Sequence, residues 1–240
     1  MRRLIRADIR RILLKIGFYV LPAIYLLISI SDTQKGDYGF EDMYQANQFT
    51  YKYMISYFAI IPVFMSVYAD ELRSGAWVVA IGRGMSRRKI VMAKFLDGTI
   101  LTILLYAFFF ALDVVGMARH MITPTALQME RAVLLNVASC LKAISFMGFA
   151  SVFVYLTWNA SVGIIVEIIA TAFSEMALGW VQEQVRIPML DVSFIGQVDQ
   201  ACANFAAGRS CVLQFAVVIV YVAAFILISM ALYGRKELEL

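Results

Sequence analysis

Val212-Leu-Gln-Phe-Ala-Val-Val-Ile-Val-Tyr-Val-Ala-Ala-Phe-Ile-Leu-Ile-Ser-Met-Ala-Leu-Tyr233 carries no charged side chain. At the helical rise of about 1.5 Å per residue it is long enough to cross a hydrocarbon layer about 30 Å thick. Five more apolar runs fall at 12–31, 51–69, 95–117, 133–157 and 161–180, each bounded by polar or turn-forming residues. The second is short before Asp70, and Tyr51, Tyr53 and Tyr57 extend it as an interfacial anchor; the fifth carries Glu167 and Glu175. Of the 240 residues, 62% are hydrophobic and 16% charged, against about 45–50% and about 25% in an average soluble domain. A water-soluble fold has no way to hide that much apolar surface. The expectation is therefore an all-α integral membrane protein with six transmembrane helices, read as a single domain over 1–240.

The basic residues give the orientation. Six Lys or Arg precede the first run, at 2, 3, 6, 10, 11 and 15. Six lie between the second and third, at 73, 83, 87, 88, 89 and 94, and two follow the sixth, at 235 and 236. The opposite loops share Lys35, Lys52, Arg119, Arg131, Arg186 and Arg209. By the positive-inside rule the richer side is the cytoplasm and holds both termini. The first fifteen residues place Ile5, Ile9, Ile12 and Leu13 on one helical stripe with arginines on the rest. This reads either as an amphipathic helix on the inner membrane surface, facing anionic headgroups, or as a plain topogenic basic tail. The long basic stretch argues against a cleavable signal peptide.

Catalytic and nucleotide-binding patterns are missing. His120 is the one histidine, there is no H-E-x-x-H or G-x-S-x-G, and Cys140, Cys202 and Cys211 are not spaced as a metal knuckle. Gly82-Arg-Gly-Met-Ser-Arg87 starts like a dinucleotide fingerprint but ends in arginine, and no G-x-x-x-x-G-K-[ST] occurs. A zinc site, intramembrane hydrolysis and nucleotide binding on this chain are thus unsupported, and the basic residues serve topology rather than nucleic acid.

The most informative loop runs from Asp70 to Ile90. Between Gly75 and Gly82, Trp77, Val78 and Ile81 occupy neighbouring positions on one or two helical turns. That short apolar face packs either on the membrane interface or into a partner's groove. The acidic Asp70-Glu71, the turn Arg73-Ser74-Gly75, the run Ser86-Arg-Arg-Lys-Ile90 and Lys94 at the next span together resemble the permease subunits of type-2 ABC exporters, as do the six-span layout and the basic N-terminal helix. The resemblance implies a cytoplasmic coupling helix between spans two and three, seated on an ATP-binding subunit through Glu71, Arg73, Gly75, Trp77, Val78, Ile81 and Gly82. It also implies two such subunits carrying ATP and Mg, and a second permease copy or sister permease across the pathway. ATP hydrolysis would then occur on the separate subunit, and this chain would not itself be an enzyme.

Three charges fall within apolar runs, where each costs at least about 2.5–3.5 kcal/mol unless paired or wetted. With the fourth span descending and the fifth ascending, Lys142 and Glu175 reach similar depths, about 13 Å and about 8 Å below the outer face. They are expected to pair, leaving Glu167 as the candidate for an aqueous path. All three are also open to a purely structural reading. Asp97 and Asp113, near opposite ends of the third span, read as boundary residues. The outer segment 181–211 is too apolar for a free loop and is expected to dip back into the membrane. Cys202 and Cys211 share it, with a disulfide and two free thiols both open.

The function expected is that of a permease in the membrane of a bacterial cell, exporting an amphipathic peptide or lipophilic drug by alternating access. A membrane scaffold or sensor that binds a cytoplasmic partner without transport is the alternative.

Overall fold

A computed structural model describes residues 2–15, 19–20, 22–24, 26, 39–51, 60–69, 72 and 75–235. Most of the first expected span, and 52–59 of the second, lie outside these residues. The described elements are α1 (Arg2–Leu13), α2 (Phe40–Phe49), α3 (Ile60–Phe64) running into a π-helical turn (Met65–Ala69), α4 (Ala76–Gly82), α5 (Arg87–Arg119), α6 (Ala126–Thr157), α7 (Ala160–Val185), α8 (Met189–Val192), α9 (Phe194–Ala206) and α10 (Val212–Arg235). No strand occurs among them. Four helices, α5, α6, α7 and α10, are long and apolar enough to cross a membrane. The chain is an all-α protein of the multi-pass membrane type.

The long helices outrun the apolar stretches that announce them, and side-chain caps mark where α6 and α7 begin. Helix α6 begins at Ala126, where Thr125 Oγ1 accepts from the Gln128 N–H at 3.3 Å while Gln128 Oε1 accepts from the Thr125 N–H at 2.9 Å. Helix α7 follows Asn159, whose Oδ1 accepts from the Ser161 N–H, and Arg186 closes it in the left-handed region at φ 55°. Helix α5 starts at Arg87, so Lys94 lies two turns inside it.

Helix α6 is the most enclosed of the four and packs against α5, α7, α9 and α10. Small residues let its neighbours close in: Ala138, Ala143 and Ala150 are fully buried, and the space beside Gly148 is occupied by Phe95 of α5 and Phe225 of α10. Two polar contacts pin the register, Asn136 Nδ2 donating to the Tyr106 carbonyl at 3.1 Å and Ser151 Oγ meeting Ser229 Oγ at 3.2 Å. Helices α1 and α4 gather at one end of the bundle, termed the α4 end, together with the start of α5 and the finish of α6 and α10. At the opposite, α9 end, α2 lies beside the start of α6, and α9 packs back onto α6 and α10.

Segment 186–211 is folded, as its apolar character requires. Phe194, Ile195, Val198 and Ala201 are buried, and the Phe194 ring meets Phe146 edge-on at 5.1 Å. Its corner between α8 and α9 is tight enough to require glycine, since a Cβ on Gly196 would lie 2.1 Å from the Leu190 carbonyl oxygen. Gly196→Ala is expected to cost about 1–3 kcal/mol and to lower the thermal unfolding midpoint in detergent. Gly116→Ala, which meets nothing within 4 Å, is expected to leave the midpoint at or above wild type. Equal midpoints for the two variants would contradict this packing.

Candidate functional site

Helix α4 is delimited by two glycines in the left-handed region, Gly75 at φ 64° and Gly84 at φ 82°, a conformation that costs a residue with a Cβ about 1–2 kcal/mol. The Gly75 carbonyl accepts from the Val78 N–H at 3.0 Å, and beyond the helix the Met85 N–H returns to the Ala80 carbonyl at 3.1 Å. Trp77, which the resemblance seats on an ATP-binding subunit, is turned into this chain's own bundle. It is only 4% exposed, stacked on Tyr155 of α6 at 5.5 Å and edge-on to Tyr233 of α10 at 5.6 Å and Trp158 at 6.1 Å. Tyr68 and Phe64 continue the cluster, and the Arg87 guanidinium lies 5.9 Å above the Tyr233 ring. Burying so large a ring outweighs displaying it, because the bundle offers aromatic faces on several sides. Ile81 is half-buried against the same core. What α4 turns outward is Val78, 47% exposed, and Val79, 53% exposed, with Gly82 and Arg83 beside them. Val79 escapes the sequence reading, since helical period alone cannot say which arc of so short a helix faces in. Glu71 and Arg73 lie outside the described residues.

Below α4 the structure brings together three charges that hydropathy leaves apart. Lys94 Nζ lies 2.5 Å from Asp8 Oδ2 of α1 and 3.4 Å from Asp97 Oδ2, with all three residues buried. Helix α1 is thus bound to α5 by charge, and Ile12, fully buried, points into the protein core. Its Arg6, Arg10 and Arg11 remain exposed. Asp97 and Asp113 are not boundary residues. Asp97 belongs to this cluster, and Asp113 Oδ2 accepts the Tyr51 hydroxyl on the buried face of α5. The signal for the cluster was Asp8, the lone acid among the α1 arginines, and the Lys94/Asp97 spacing of one turn.

Of the charges placed within apolar runs, Lys142 and Glu175 meet at 2.5 Å, the first 6% and the second 28% exposed at the side chain. Helical depth alone brings them level. Glu167 lies apart on the stripe Ala160, Gly163 and Glu167 that α7 buries, and neither of its carboxyl oxygens has a hydrogen-bond partner among the described residues. The same stripe holds the closest approach of α7, where a Cβ on Gly163 would lie 2.3 Å from Val154 and 3.0 Å from the Phe64 ring.

At the α9 end, Arg131 pairs with Glu41 of α2 at 2.9 Å and its guanidinium lies 4.8 Å from the Tyr44 ring. Burial raises the Tyr44 phenol above its ordinary value, against the lowering pull of Arg131. A cleft of about 500 Å³ opens here between α2, α6 and α9, with Lys142 and Cys202 in its wall. The disulfide left open between Cys202 and Cys211 is not formed. Both are free thiols, Cys202 turned toward α6 and Cys211 sitting at the turn into α10. No trio of His, Cys, Asp or Glu suited to a metal ion occurs among the described residues. Comparison with protein-family models, curated proteins and solved structures yields no match to this chain.

Two outcomes check this geometry. In a double-mutant cycle of Lys142→Ala and Glu175→Ala, the pair is expected to show at least about 1 kcal/mol of coupling in unfolding stability, the double variant losing little beyond either single one; additive losses would rule the pair out. Burial, with lesser help from Asp199, pushes the Cys202 thiol up to about 11. The thiol is the form stable below that value, so alkylation of a Cys140→Ser, Cys211→Ser variant is expected to be slow at pH 8 and to accelerate as pH approaches 11. Fast labelling at pH 8 would contradict it.

Proposed function

We propose that this chain is the permease subunit of an ATP-driven exporter resembling the type-2 ABC kind. In this reading it spans a bacterial cell membrane six times, the segments 12–31 and 51–69 joining the four long helices, and it exports an amphipathic peptide or lipophilic drug by alternating access. The observation that carries the reading is helix α4, whose inward face is clamped by Trp77 while Val78 and Val79 stand exposed on the other. A short helix braced against the ends of α6 and α10 transmits a push into the bundle as a rigid body, which suits a coupling element driven by a partner. A hydrophobic pair next to Arg83 at the basic, cytoplasmic end suits the groove of an ATP-binding subunit. Two such subunits would carry ATP and Mg, and a second permease copy or sister permease would cover the exposed faces of α7 and α10.

Exchange of protein contacts at Val78 and Val79 is separable from folding. Purified in mild detergent from its native host, the chain is expected to bring down a protein with ATPase activity. The variant V78D/V79D is expected to lose that protein while keeping the wild-type unfolding midpoint. Trp77→Ala is expected instead to destabilise the chain by about 3–5 kcal/mol. Recovery of the chain with a partner lacking ATPase activity would favour the scaffold alternative, and an ATPase held equally by wild type and V78D/V79D would remove α4 as its seat.

A further inference from the structure

The α9 end contains two cavities of about 500 Å³ each that differ in chemistry. The first is the cleft between α2, α6 and α9, walled by Gln45, Gln48, Arg131, Lys142 and Asp199 alongside apolar Leu135 and Phe49. The second lies between α6, α7 and α9, and its wall is almost wholly hydrocarbon and aromatic, including Phe146, Phe149, Ile169, Phe173 and Phe194. Both use one stripe of α6. Arg131, Leu135, Ser139 and Lys142 face the cleft and Phe146 and Phe149 the groove, spaced by three or four residues throughout, as one helical face requires. From Arg131 to Lys142 is about 16 Å along the helix, and from Lys142 to Phe149 about 10 Å more.

The Lys142–Glu175 pair stands between the two. Lys142 belongs to the wall of the cleft, while Glu175 follows Phe173 and Ser174 of the groove wall on α7. An ammonium has three donors, and among the described residues Lys142 bonds Glu175 alone. Among the same residues Arg131 Nε is likewise buried without an acceptor. Buried donors of charged groups are rarely left unmet, so the cleft has unfilled demand for acceptor oxygens. Asp199 on the facing wall, and the carboxylates already bonded to both cations, restrict the ligand to a small acidic group and disfavour one of high negative charge.

We propose that these cavities form one binding site for an acidic amphiphile, its phosphate or carboxylate head held by Arg131 and Lys142 and its hydrocarbon tail lying in the groove beside Phe146, Phe149 and Phe173. The site stands whether or not the chain works with an ATPase. The ligand comes either from the bilayer, as an acidic lipid, or from an acidic amphiphile that is not a membrane lipid.

Dodecyl phosphate is the probe, measured by native mass spectrometry on the full chain in a neutral detergent, with dodecanol as the tail-only control. Dodecyl phosphate is expected to bind as a discrete one-to-one adduct, at least roughly tenfold tighter than dodecanol. Arg131→Gln should remove most of that headgroup preference, and Ala170→Phe, which fills the groove, should weaken dodecyl phosphate and dodecanol alike. The two variants act at opposite ends of the site, so a folding failure in one leaves the other to decide, with unfolding midpoints as the check. Extraction of the purified chain distinguishes the sources. An acidic lipid recovered from wild type and depleted in Ala170→Phe identifies a membrane lipid, whereas variant-sensitive dodecyl phosphate binding with no such lipid recovered identifies a non-lipid amphiphile. Equal binding of dodecyl phosphate and dodecanol, or binding unchanged in both variants, overturns the proposal.

Discussion

Trp77 lies where separate parts of the chain converge: the turn after Gly75, the π-helical turn through Tyr68, the last turn of α6 through Tyr155, the left-handed Trp158 and the last turn of α10 through Tyr233. In a bilayer there is little hydrophobic force between helices, because lipid tails are as apolar as leucine. Large flat rings that stack or meet edge-on supply contacts lipid cannot match, each worth about 0.5–1.5 kcal/mol beyond area. The outward posture of Val78 and Val79 follows from that cluster, which also ties the ends of α6 and α10 through Tyr155 and Tyr233, 5.4 Å apart. Were the indole turned out, its three aromatic neighbours Tyr155, Trp158 and Tyr233 would enclose a void, and α4 would have no fixed direction.

Much of this architecture was readable from residues alone. Run length gave α5, α6, α7 and α10, since about 20 apolar residues in a row admit few alternatives. The Lys142–Glu175 contact followed from helical rise, because two buried charges of opposite sign at one depth have strong reason to meet. Facing was harder. A seven-residue helix bearing Trp77, Val78, Val79 and Ile81 is apolar nearly all round, so its pattern names no inward side. Position near a helix end does not report exposure for Asp97 and Asp113, because α1, ahead of the first hydrophobic run, and Tyr51, at the start of the second, cover them. Each α9-end cavity is assembled from three helices, and nothing local in the sequence marks either.

The long helices differ in how firmly they are held. Helix α6 is buried along most of its length, while α7 buries little beyond Ala160, Gly163 and Glu167 and shows Ile165, Ile169, Phe173, Met176 and Trp180 to its surroundings. Helix α7 is still held along α6, by the Lys142–Glu175 pair and, at its far end, by Gln182, whose Nε2 donates to Asp191 at 3.2 Å and whose Oε1 accepts from the Leu190 N–H at 3.0 Å. Glu167, with no hydrogen-bond partner for either oxygen among the described residues, adds a polar group whose burial costs free energy in the present packing.

The ion cluster at the foot of α5 also bears on how the chain reaches its fold. Asp8 and Lys94 are 86 positions apart, and synthesis runs from the amino end. Helix α1 therefore emerges with its acid facing only Arg11 of its own next turn, 3.9 Å away, until the segment bearing Lys94 arrives. The lysine in turn enters apolar surroundings at a site where a counter-charge is already stationed. The first helix made is a mooring for the fifth, and the order of translation supplies each charge with its partner at the moment burial would otherwise be most costly.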